Sequence, residues 1–133
     1  MKIKTSTIIS LLILLMTALS AYAYYEDLTD IGVCLIGEAC SVVRYSEYST
    51  IFGIKVSLFG LITSIILFLI FINRNKYKFL KEILPIIILT GALFAIYFIS
   101  IQLFVLKAIC STCILIDITM LIIAALVLFT LKR

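Results

Sequence analysis

Four apolar runs, each about twenty residues long, dominate this chain and leave it few ways to fold. They cover roughly Ile8–Tyr25, Ile54–Ile72, Ile83–Leu106 and Thr112–Leu131. Each is long enough to cross the hydrocarbon core of a bilayer as a helix. The composition agrees. Apolar residues make up 65% of the 133 positions and the mean hydropathy is +1.32, whereas a soluble domain is about half apolar. The expected fold is all-α: an integral membrane four-helix bundle forming one domain over residues 1–133. The only sizeable segment outside the spans runs from Glu26 to Gly53. Within it Val42, Tyr45, Tyr48, Ile51 and Phe52 recur at helical spacing, which predicts a short helix lying in the membrane interface over the bundle. Gly53 and Gly60 are expected to let backbones approach closely.

Charge sets the orientation. Lys2 and Lys4 precede the first span, Arg74, Lys76, Lys78 and Lys81 fall between the second and third, and Lys132 and Arg133 follow the fourth. These regions together hold eight of the eleven Lys and Arg residues. The positive-inside rule then predicts both termini in the cytoplasm. Arg44, Lys55 and Lys107 fall outside, where Glu26, Asp27, Asp30, Glu38 and Glu47 outnumber them. The net charge of +4 is thus an orientation signal and not a nucleic-acid footprint. A second reading of the N-terminus is open: Lys2, Lys4, the first apolar run and Ala21-Tyr22-Ala23 also have the form of a cleavable signal peptide. Either way the following loop is placed outside.

The chain has no histidine, so imidazole serves neither as base nor as metal ligand, which removes most zinc and copper sites and every His-dependent catalytic pair. Tryptophan is also absent, leaving seven tyrosines for any interfacial belt.

All four cysteines fall on the predicted outer side: Cys34 and Cys40 in the first outer loop, Cys110 and Cys113 at the mouth of the fourth span. That is the oxidising side, where disulfides persist. Four cysteines allow three pairings; the short separations favour Cys34–Cys40 and Cys110–Cys113, with exchange between the pairs as the chemistry. In Cys110-Ser111-Thr112-Cys113 the Cys-x-x-Cys opens a helix, whose free amides and dipole favour thiolate, the attacking species in disulfide exchange. Two static disulfides, or a four-thiolate metal site, are the competing readings.

A two-electron wire needs an acceptor, and an apolar bundle suits a membrane quinone, which takes two electrons and two protons. Cys110, Cys113 and Asp117 fall at i, i+3 and i+7, on one face of the fourth helix, with Asp117 roughly 6 Å deeper than Cys113. An ionisable residue inside a span is a functional candidate by default; Asp117 is expected to hydrogen-bond a quinone carbonyl or deliver a proton to it, unless it stays hydrated or pairs with Lys107. Gln102 and Ser100 are candidates to line the same pocket, or else to hydrogen-bond between helices, and Tyr97 is expected to pack.

Taken together, these residues resemble the vitamin K epoxide reductase family in its small microbial form. The resemblance rests on Cys34-x5-Cys40, Ser46, Tyr48, Ile51-Phe52-Gly53-Ile54 leading into Val56-Ser57-Leu58-Phe59-Gly60, and Cys110-Ser111-Thr112-Cys113, in that order. It covers roughly residues 8–131. An unrelated bacterial quinone-linked thiol oxidase also has four helices and two cysteine pairs, but carries its Cys-x-x-Cys in the first outer loop. The resemblance implies that Cys34 and Cys40 shuttle electrons from a thioredoxin-like partner outside the membrane, that Cys40 exchanges with Cys110, and that Cys113 stands beside the quinone. It implies that Ser46 helps hold the loop over the pocket. Lys55 stands where the family often has proline, and Asp117 where animal members have a quinone-contacting tyrosine.

With no thioredoxin-like segment in these 133 residues, the partner is expected to be a separate protein. The function expected is disulfide generation coupled to reduction of a membrane quinone of the menaquinone or ubiquinone type. The alternatives are a quinone or quinone-epoxide reductase fuelled by thiols, and a non-catalytic membrane subunit with structural disulfides.

Overall fold

A computed structural model describes residues 3–29, 47, 50–105, 107 and 111–132. Four long helices make up nearly all of it: α1 (Ile3–Thr29), α2 (Val56–Asn73), α3 (Lys78–Ser100) and α4 (Ser111–Lys132). A five-residue π-helical turn, Ile101–Val105, continues α3, and two short strands, β1 (Thr50–Ile51) and β2 (Ile54–Lys55), form a hairpin leading into α2. The apolar stretches Lys4–Thr29, Val56–Asn73, Lys78–Val105 and Ser111–Thr130 are each long enough to cross a membrane. In hydrocarbon a backbone must satisfy its own polar groups, which is why these runs are helices. Their hydroxyls do the same: Thr17, Thr90, Thr119 and Thr130 donate to the carbonyls of Ile13, Ile86, Leu115 and Leu126, four residues back.

Contacts at opposite ends make α1 and α2 antiparallel. At one end Arg74 Nη2 donates to Ser6 Oγ at 2.5 Å; at the other Ser57 Oγ donates to Asp27 Oδ2. Between them, nearer the Ser57 end, Gly60 faces Ser20, whose Oγ would lie 3.6 Å from a Cβ added there. Helices α3 and α4 are antiparallel likewise, with Gly91 against Met120. Each helix lies against the two next to it in a closed ring, the most extensive contacts being α1 with α2 and α3 with α4. The ends of α2 and α3 meet in a tight turn, where Asn73 Nδ2 donates to Leu69 O at 2.9 Å and Lys76 N to Asn73 O at 3.0 Å, satisfying terminal carbonyls of α2.

The four spans expected from hydropathy are present, with shifted ends. α1 runs past Tyr25 to Thr29, unbroken through Ala21-Tyr22-Ala23, because Asp27 is accommodated by the Ser57 hydroxyl. α3 begins at Lys78 instead of Ile83, since Lys78, Lys81 and Glu82 propagate a helix readily and reach outward from its first turns. The interfacial helix expected between Val42 and Phe52 does not include its last two residues. Ile51 and Phe52 belong to the hairpin, where Phe52 (φ 54°) and Gly53 (φ 80°) take the two consecutive positive φ values of a tight β-turn. Val42, Tyr45 and Tyr48 lie outside the described residues. Gly53 permits no close approach, since a Cβ there would meet open space; its role is the turn.

Candidate redox site

Cys113 is the third residue of α4 and half-buried; Asp117, one turn deeper on the same face, is also half-buried. The Cys113–Asp117 part of the spacing expected from sequence therefore sits on a helix, with Cys113 in its first turn, where backbone amides lack intrahelical acceptors. Thr112 beside it is 2% exposed. At the adjoining end of α3 the π turn carries Gln102, 3% exposed. A π turn inserts an extra residue into the helical register and re-aims the side chains that follow; such turns recur at functional sites.

The interior divides by chemistry along the bundle axis. Towards the end that carries Lys4, Arg74, Lys76 and Lys132, the core is built from Ile9, Ile13, Met16, Leu67, Phe71, Leu84, Ile88, Ile123 and Val127. Every buried polar residue among those described (Ser20, Glu26, Ser64, Gln102, Thr112 and Thr119) lies in the other half, the half that holds Cys113. Three alanines, Ala23, Ala92 and Ala95, share that half, with Ile101 and Met120 as its large apolar members. Small and polar side chains leave less filled volume than a core of Ile, Leu and Phe.

Glu26 was not among the site residues expected from sequence, having been counted with the acids of the outer loop. It occupies the last turn of α1 and is 3% exposed, on the stripe that includes Ile9, Ile13, Met16, Ser20 and Ala23. Nothing in the sequence marks it, because α1 is apolar nearly all round and shows no inner face until the helices pack. Ser20 is 1% exposed and its Oγ has no hydrogen-bond partner among the described residues, so it is a spare donor in the same half.

Ser100 donates to Ile96 O at 2.8 Å within its own helix, so its hydroxyl is engaged locally. Tyr97 is exposed and packs edge-on to Phe98, with ring centroids 5.6 Å apart. Cys34, Cys40, Ser46 and Cys110 lie outside the described residues. The structure thus brings Cys113, Asp117 and Gln102 to one end of one bundle.

A family model described as Vitamin K epoxide reductase family matches residues 7–128, nearly the whole chain. The chain belongs to the vitamin K epoxide reductase family. No curated protein matches it. As a member of that family with four spanning helices, it is a multi-pass membrane protein with oxidoreductase chemistry. The quinone that family members generally use can be tested against these residues. A quinone ring needs hydrogen-bond donors for its carbonyl oxygens within apolar walls, and the half holding Gln102, Thr112 and the spare Ser20 hydroxyl fits that need.

Proposed function

We propose that this vitamin K epoxide reductase family member generates disulfides outside the cytoplasm, passing electrons from a separate thioredoxin-like protein through Cys34, Cys40, Cys110 and Cys113 to a membrane quinone of the menaquinone or ubiquinone type. The observation that carries this reading is that the buried polar residues described all lie in the half of the bundle that bears Cys113, while the other half is filled mostly with Ile, Leu and Phe. The orientation follows from charge. Lys4, Arg74, Lys76, Lys78, Lys81 and Lys132 share one end of the bundle, which we assign to the cytoplasm, and the cysteine end faces out.

Electrons and protons balance as follows. A donor thiolate attacks the Cys34–Cys40 disulfide; the donor's second thiol resolves the mixed disulfide, leaving an oxidised donor and two loop thiols. Cys40 then exchanges with Cys110, re-forming the loop disulfide and leaving Cys110 and Cys113 reduced. Each exchange forms one S–S bond and breaks another. Cys110 and Cys113 then re-form their disulfide, losing two electrons and two protons, which a quinone, when bound, would take up at its carbonyl oxygens. Cys113, in the first turn of α4, presents its sulfur where free amides stabilise negative charge. Asp117, one turn deeper, positions a carbonyl or relays a proton through its carboxyl oxygens. Gln102 offers its amide N–H to a carbonyl, and Ser46 holds the loop closed over the site. Glu26, buried at the same end, extends the polar lining towards the outer surface.

The test is quinone reduction followed by absorbance, with the purified protein and either a reduced thioredoxin-like protein or a small dithiol as donor. Cys34→Ser should lose turnover with the protein donor and keep it with the small dithiol. A wild-type protein that reduces no quinone with either donor would sink the reading and leave structural disulfides as the better account.

A further inference from the structure

At the end of the bundle far from Cys113, a cleft of about 290 Å³ opens between the start of α1 and the end of α2, lined by Ser6, Thr7, Ser10, Leu11, Phe71, Ile72 and Arg74. Arg74 is held in place on three sides. Its Nη1 donates to Phe71 O at 2.5 Å, its Nη2 donates to Ser6 Oγ at 2.5 Å, and its Cζ stacks 3.9 Å from the centroid of the Phe71 ring. These partners are a carbonyl, a hydroxyl and an aromatic face; none is an anion. A guanidinium has five N–H donors, so further donors remain for a ligand.

Burial lowers the Arg74 pKa, but a guanidinium stays protonated at physiological pH. The cleft therefore holds a fixed, partly desolvated positive charge without an opposing carboxylate among the partners found for it. Ser6 accepts from Arg74, which leaves its own O–H to donate. Ser10, on the same wall one turn further, has no hydrogen bond among the described residues. The exposed Lys4, Lys76 and Lys78 add positive potential around the opening.

We propose that this cleft binds the phosphate of an anionic phospholipid, with Arg74 as the charged donor and Ser6 and Ser10 as neutral donors. A phosphodiester takes bidentate hydrogen bonds from a guanidinium, and basic pockets between helices at the membrane surface suit such headgroups. A membrane lipid fits better than a free phosphate because the cleft is continuous with a greasy flank. Leu11 and Ile72 line it and are themselves exposed, as is Ile8 one turn from Leu11, giving acyl chains a path into the bilayer. This site is at the opposite end of the bundle from Cys113 and does not depend on the redox reading.

The experiment adds phosphatidylglycerol, phosphatidylcholine or inorganic phosphate to the full-length protein in detergent. Lipid retention is read by native mass spectrometry and melting temperature by a thermal shift. Phosphatidylglycerol should be retained and should raise the melting temperature, with phosphatidylcholine weaker. Arg74→Gln should cut phosphatidylglycerol affinity roughly tenfold. The double change Ser6→Ala, Ser10→Ala should also weaken it, and serves if Arg74→Gln does not fold. Lys55→Gln, at the opposite end of α2, should leave it nearly unchanged. Equal retention of both lipids, an equal loss in the lysine and arginine variants, or full stabilisation by inorganic phosphate alone would each overturn the assignment.

Discussion

Gly91 on α3 lies against Met120 on α4 so closely that a Cβ added to the glycine would overlap Met120 Cε. This contact locks the two helices whose ends carry Gln102 and Cys113, so it sets the geometry of the candidate site from a distance. The overlapping atom is the tip of a flexible side chain, which can swing aside for a methyl group but not for a branched one. Gly91→Ala should therefore change thermal stability little. Gly91→Val should cost about 1–3 kcal/mol by overpacking. Adding Met120→Ala to Gly91→Val should return part of that loss in a double-mutant cycle of melting temperatures; purely additive effects would refute the contact as the cause.

Cys113 is half-buried in the first turn of α4, and a serine fills nearly the same space. Cys113→Ser is expected to abolish quinone reduction with protein and small-dithiol donors alike. Its unfolding free energy should stay within about 1 kcal/mol of wild type. A variant that melts much earlier and keeps turnover in its folded fraction would point to a structural sulfur instead.

Asp117 sits on the same face one turn deeper. If it positions or protonates the quinone carbonyl, Asp117→Asn should lower kcat by about a hundredfold and flatten the pH profile. A pH series of kcat for both proteins checks this, and an unchanged profile would rule the residue out as a proton relay.

Phe52 is 98% exposed and holds φ 54°, a region where a bulky side chain is strained. Asparagine tolerates that conformation, and Asn-Gly is the favoured pair for such a hairpin. Phe52→Asn should raise stability by up to about 1 kcal/mol, read as a higher melting temperature in detergent. A lower melting temperature would mean that the exposed ring makes a stabilising contact with lipid or detergent.

Some of the site could be read from residue order alone. The i, i+4 relation of Cys113 and Asp117 needs only a helix that begins near Ser111, and hydropathy guaranteed one. Glu26 is hidden in the sequence because a carboxylate after an apolar run looks like the end of a span; its burial comes with the further turn of α1 that brings Asp27 to Ser57. Gln102 could be named, but the π turn that buries it carries no sequence mark. Arg74 reads in sequence only as an orientation charge, because its partner Ser6 lies sixty-eight positions earlier in the chain.

Hydropathy along the chain suffices for the number of spans and the helical state of each. Those are sums over neighbouring residues, and transfer into hydrocarbon depends on such sums. Packing alone decided which face of each helix turns inward, and so the placing of Ser20, Glu26, Gln102 and Thr112 in the half that bears Cys113. The spans are apolar nearly all round, so their sequences carry little periodicity to mark an inner face. In a bilayer that face is chosen by close packing, such as Gly60 on Ser20 and Gly91 on Met120, because lipid solvates an outward-facing leucine as well as the core does.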